Sequence, residues 1–130
     1  MTMRDLKSNL DPAHSLAPAV RTAGATGSAV DLRGFDAASV LVHAGAYTDG
    51  THTPGLEASA DGIAYDDVAA GHLIGAFAAI SSGAGANTVQ QVGYAGPARY
   101  LRAKLTIAGA TGGAAAGITI LRHRTARAGV

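Results

Sequence analysis

The sequence predicts an all-β protein: an antiparallel β-sandwich of about eight strands, jelly-roll or immunoglobulin-like, with an extended N-terminal arm. Three observations carry that prediction. Residues 38–68, ASVLVHAGAYTDGTHTPGLEASADGIAYDDV, alternate short apolar runs with Asp-Gly and Pro-Gly punctuation, the pattern of strands joined by tight turns. Residues 100–108, YLRAKLTIA, put Leu101, Ala103, Leu105 and Ile107 on one side and Tyr100, Arg102, Lys104 and Thr106 on the other. Amphipathic helical periodicity is almost absent along the chain.

The elements follow in order. Residues 1–27 show no clean period, and Pro12 and Pro18 argue against one continuous helix. They read as an extended arm or first edge strand, with a short helical turn near residues 3–10. Residues 22–28, TAGATGS, form a turn or linker. The sandwich domain spans residues 28–121. Its first strand is short, at 29–32. Residues 38–44 are apolar on both faces, as a central strand is. Tyr47-Thr48-Asp49-Gly50-Thr51 turns the chain. Residues 56–59 and 63–68 form strands on either side of the hairpin turn Ala60-Asp61-Gly62. Further strands are expected at 76–80, 89–94, 100–108 and 114–121. Between them lie the loop SSGAGAN (81–87), the Gly96-Pro97 turn and the turn ATGG (110–113). Residues 122–130, RHRTARAGV, are a basic tail.

Composition narrows the function classes. A chain of 130 residues suits one domain and can bury a core without staples. With no cysteine, a disulfide framework, a thiolate metal site and a Cys nucleophile are excluded. The formal net charge of +1 is too near neutral for a general nucleic-acid binder. Residues 28–121 are mildly acidic, and Arg122, Arg124 and Arg127 make the tail basic. Charged residues are only 15% of the chain, which fits either a surface partly covered by a partner or further copies, or a coding bias toward Ala, Gly and Arg. MTMRDLKSNLDPAHSLAP lacks the apolar core of a signal peptide, and no apolar run is long enough for a membrane helix.

Little chemistry stands out. His14, His43, His52, His72 and His123 form no metal-ligand spacing. His43 reads as a packed or interface residue of a strand, and His52 as a solvated turn residue. Asp49, Asp61, Asp66 and Asp67 cluster around one hairpin, where turn chemistry explains them better than calcium does. Glu57 is the sole glutamate, and no pair of carboxylates is singled out across a cleft. Ser81-Ser82-Gly83 lacks a nucleophile-elbow context. No catalytic residue, metal ligand or cofactor site is predicted, and the chain is not expected to be an enzyme. Exposed tyrosines in loops could stack on sugars, which makes Tyr47 and Tyr65 candidate glycan contacts.

The order of motifs carries a resemblance. SLAPAVRT, VDLRGFDAASVLV, the TDGTHTP turn and VGYAGPARYLRAKLTI, within residues 6–122, resemble a family of small structural proteins of tailed bacteriophages, encoded near the major capsid gene. These are fold and turn signatures, not catalytic ones. The resemblance implies a virion protein at the capsid surface, made in the host cytoplasm, that decorates or cements the shell. Its partners would be the major capsid protein and copies of itself, as a dimer or trimer, with no membrane and no specific nucleic acid. The contacts it suggests are the arm, with Arg4, Lys7 and Arg21, and the basic outer face, with Arg99, Arg102 and Lys104. Alternatives are a virion-displayed carbohydrate-binding sandwich, since SADGIAYDDV and ARYLRAKLTI resemble strand pairs of discoidin-like sandwiches, a head–tail or tail structural protein, and a minor hydrolase.

Overall fold

The structure is a computed structural model, and it describes residues 6–124. Arg4 and most of the basic tail lie outside the described residues. Ten strands run β1 Leu10–Arg21, β2 Ala25–Thr26, β3 Val30–Asp31, β4 Ala37–Tyr47, β5 Thr51–Ser59, β6 Asp66–Asp67, β7 Leu73–Ile74, β8 Val89–Tyr94, β9 Tyr100–Ala108 and β10 Ala114–His123. They form two antiparallel sheets. The first has the order β1-β10-β4-β8-β7, and the second β2-β9-β5-β6, with β3 also pairing β9. The predicted all-β sandwich is observed.

The core lies between the sheets and is set by the two-residue period of the strands. From the first sheet, Val40, Val42, Ile118 and Ile120 point inward, and from the second, Leu101, Ala103 and Leu105, each at 1% exposure or less. Burial of each of the larger side chains contributes roughly 1.5–3 kcal/mol. Registers such as Val42 opposite Ile118 and Leu56 opposite Ala103 keep the apolar sets on one side.

β1 is an integral strand of the sandwich, as its edge-strand reading expected. It pairs with β10 from Leu10 opposite His123 to Arg21 opposite Ala114. The two register shifts that flank Leu16 let it kink. At that kink Ser15 reaches the second sheet. Its hydroxyl accepts from the Ala103 N–H at 2.7 Å and donates to the Ser28 carbonyl at 2.7 Å. The expected helical turn is present where the structure describes it: the amides of Asn9 and Leu10 both donate to the Leu6 carbonyl. The sandwich therefore begins at residue 10 rather than 28, and β10 takes in Arg122 and His123 from the expected tail.

Three local expectations are corrected. Residues 76–80 do not form a strand. Gly75 takes a positive φ of 97°, and the Gln90 side chain bonds both the N–H and the C=O of Ala78, in place of a strand ladder. Residues 63–68 answer the hairpin only at β6, because the Asp61 carboxylate takes the N–H groups of Ile63 and Ala64 and holds them in a loop. The loop at 81–87 is partly ordered: Gly83–Gly85 make a 3-10 turn capped by the Ser82 hydroxyl.

Candidate interaction faces

The outer face of the second sheet carries the predicted cations. Alternation along β9 places Arg102 and Lys104 outward, as expected. The neighbouring strands supply their counter-charges. Glu57, opposite Arg102 in β5, accepts from its Nε at 2.7 Å and is itself only 14% exposed. Lys104 Nζ lies 4.0 Å from Glu57 and 3.6 Å from Asp67 on β6. Arg99 grips Asp31 of β3 with two hydrogen bonds, at 3.0 and 2.9 Å, and lies over the Tyr100 ring. The face is an interleaved array of both signs rather than a basic patch.

The remaining predicted contacts are scattered. Lys7 sits exposed in the turn before β1, while Arg21, at the far end of β1, donates to the Ala17 carbonyl at 2.5 Å. These two do not join the Arg99–Lys104 face. Neither tyrosine stands free. Tyr47 donates to the Gly50 carbonyl at 2.7 Å and meets the His52 ring edge-on. Tyr65 is half-buried, with Arg102 3.9 Å above its ring. His52 is not solvated but fully buried. The alternation of β5 puts its ring on the buried side with Pro54 and Leu56, where Nε2 donates to the Asp49 carbonyl at 2.9 Å. His43 is exposed on the first sheet.

The acidic cluster is turn chemistry. Asp49 accepts from the Thr111 hydroxyl and from the amides of Thr111, Gly112 and Gly113, so it staples two loops together. The Thr111 hydroxyl, then those amides, hold its carboxyl well below the usual carboxylate range. The Arg99 side chain, then the Arg33 amide, lower Asp31 from 3.8 to about 2. The amides of Ile63 and Ala64, then the Ser59 hydroxyl, lower Asp61. A carboxylate with a lowered folded pKa adds stability above its unfolded pKa and loses it as pH falls through the folded value. Stability is therefore expected to hold above about pH 4 and to decline between about pH 4 and 2. Urea midpoints measured across that range check this, and a flat profile would contradict it. Asp31→Asn should make the decline shallower across that whole window, since its folded value lies at about 2. Among the described residues, no three His, Asp or Glu side chains gather as a metal-ligand cluster.

One cleft, of about 630 Å³, opens at the end of the sandwich. Leu32, Phe35, Tyr94 and Pro97 give it apolar walls, and Arg33 and Arg99 reach its rim. Asp36 is the lone carboxylate among its lining residues. A single carboxylate beside guanidinium groups suits ligand recognition better than paired acid–base chemistry.

The outer face of the first sheet differs sharply from that of the second. Registers place Pro12 and His14 of β1, Thr119 and Leu121 of β10, Ser39, Leu41 and His43 of β4, Val89 and Gln91 of β8 and Ile74 of β7 on this side. No Asp, Glu, Lys or Arg occupies an outward strand position across its five strands. Sequence reasoning missed this face, because it is assembled from five strands distant in the chain. No family model, curated protein sequence or solved structure matches this chain.

Proposed function

We propose that this chain is a non-enzymatic structural protein of a bacteriophage virion, which decorates or cements the capsid by bridging major capsid protein subunits. The resemblance of its motifs to small phage structural proteins suggests the setting. The observation that carries the reading is the outer face of the second sheet, where Arg102 and Lys104 interleave with Glu57 and Asp67 in a fixed pattern of both signs that a protein surface of complementary charge can match. Binding of such a domain to the assembled shell, and not to its separated subunits, stabilises the shell by linkage, and repetition over many sites multiplies the effect.

The geometry revises how the cations would contribute. Arg99, Arg102 and Lys104 are each paired with a carboxylate of this chain, so they would orient a contact through alternating signs rather than attract an acidic shell. Immunogold electron microscopy of purified virions tests the reading. Label over the whole head is the expected outcome. Label at one vertex or along the tail would move the protein to the head–tail connector or tail, and unlabelled particles would overturn the virion assignment. Occupancy of an Arg102→Ala, Lys104→Ala double variant then decides the face: unaltered occupancy places the shell contact elsewhere.

The cleft favours a second reading, a virion-displayed carbohydrate-binding sandwich. Its apolar walls and the exposed Arg33 guanidinium offer a packing surface and hydrogen-bond donors to a sugar. The Phe35 ring lies under the guanidinium groups of Arg122 and Arg124, at 4.6 and 4.7 Å, and Arg99 is held by Asp31, so Arg33 joins Tyr47 and Tyr65 as a candidate glycan contact. Glycan-array binding that is lost on Arg33→Ala would support it.

A further inference from the structure

We propose that the outer face of the first sheet is a self-association surface, on which a second copy of this chain packs face to face about a twofold axis. The inference concerns the isolated protein and holds whether or not the chain decorates a shell.

The first observation is the distribution of charge. The second sheet turns Arg102, Lys104, Glu57 and Asp67 outward. The first sheet, wider by one strand on its main path, turns out none. A solvated sheet face normally alternates apolar-in with polar or charged-out. Here the outward set includes Leu41, Leu121, Val89 and Ile74.

The second observation is where the large exposed apolar side chains fall. Among the described residues five are strongly exposed: Leu6, Val20, Ile63, Ile74 and Val89. Val20, 68% exposed, lies opposite Ala115 at one margin of this face. Ile74 at 67% and Val89 at 62% lie at the other. Single exposed apolar residues are ordinary on a surface. Here three mark both margins of one uncharged sheet face, and Leu41 and Leu121 lie on the strands between them.

Symmetry selects the occupant. In a twofold interface each residue near the axis meets its own copy, so any charge there faces a like charge. A face without formal charge escapes that repulsion. It also has no charge pattern with which to select a foreign partner of complementary sign. The area suffices. Five strands about 4.8 Å apart span roughly 20 Å, and the longer ones run about 30 Å, giving a footprint on the order of 600 Å². That approaches the roughly 800 Å² per partner of a standard interface.

The sheet edges leave the face as the route. β1 carries Pro12 and Pro18 and two register shifts, which spoil it as a template for another strand. The opposite edge, β7, is two residues long. Copies would therefore join by stacking sheets about 10 Å apart rather than by extending one sheet.

Sedimentation equilibrium of the full chain at pH 8, up to about 100 μM, tests the proposal. Twice the chain mass is expected. Gln91→Arg places a guanidinium on an exposed position of the face and should weaken dimerisation at least about 100-fold, since two uncompensated cations are then buried together. Val89→Arg, at a second exposed position, should do the same. Thr106→Arg, on the outer face of the other sheet, should leave the dimer intact. Circular dichroism checks that each variant is folded. A wild-type monomer at every concentration overturns the proposal. So does a dimer that survives both face variants, or one that Thr106→Arg dissociates equally.

Discussion

Ser15→Ala is expected to lower the unfolding free energy by about 3 kcal/mol, far more than a surface serine warrants. Ser15 is 4% exposed, and its hydroxyl is shared by two backbone groups of the second sheet and its neighbouring loop. Alanine removes that oxygen and leaves the buried Ala103 N–H and the Ser28 carbonyl without it. Each orphaned group costs roughly 1–3 kcal/mol. The room for a water to take its place is small, because Gly27 passes so close that a Cβ there would overlap the Ser15 carbonyl oxygen. Urea unfolding measures the loss, and hydrogen exchange at the Ala103 amide should accelerate beyond the global change. Ser82→Ala, which removes an exposed cap on a 3-10 turn, provides the comparison at under about 1 kcal/mol. Equal effects for the two variants would refute this account of Ser15.

Gly113→Ala is expected to destabilise by about 3 kcal/mol or more and to lower the melting temperature by roughly 10 °C. Two separate costs combine. The residue has φ +76°, in the left-handed region that L side chains rarely adopt. An added Cβ would also overlap the Arg21 carbonyl oxygen, which is backbone and cannot rotate away. The position is heavily bonded as well: its N–H donates to Asp49 at 2.7 Å, and its carbonyl accepts from Thr48 and Asp49. Relief of the overlap would pull on the staple between the two loops. Gly109 isolates the first cost. It has φ +67° but open space where a Cβ would stand, so Gly109→Ala should cost only about 1 kcal/mol. Similar melting temperatures for the two variants would show that the Arg21 contact relaxes freely.

The parts of the fold that sequence shows are those written in local alternation. In β9, Leu101, Ala103 and Leu105 declare the buried side within nine residues, and the structure buries them. β1 was harder to assign. Pro12 and Pro18 exclude a helix, but the strand's partner, β10, lies about a hundred residues away, and no local pattern announces that pairing. Residues 76–80 misled because AFAAI has strand composition while its ladder bonds go to the Gln90 side chain. His52 sits beside a turn in sequence, yet β5 already begins at Thr51, and its alternation buries the ring with Pro54 and Leu56. The same gap governs the candidate surfaces. Spacing shows which side Arg102 and Lys104 occupy, but not that β5 and β6 bring Glu57 and Asp67 beside them. Net charge counts the ions of a chain and does not say which face they share.

The place of β10 between β1 and β4 has a consequence for synthesis. β4 can pair with β8, and β5 with β9, once residues up to 108 have been made. β1 cannot pair until the last strand arrives, because its partner is β10. At about 5–20 residues per second, the first strand waits on the order of ten seconds beside a half-built sheet with an open slot. During that interval β1 and β4 both present unpaired edges to other nascent chains. The prolines that restrict β1 in the finished sandwich also shield it then, when it is most able to join the wrong sheet.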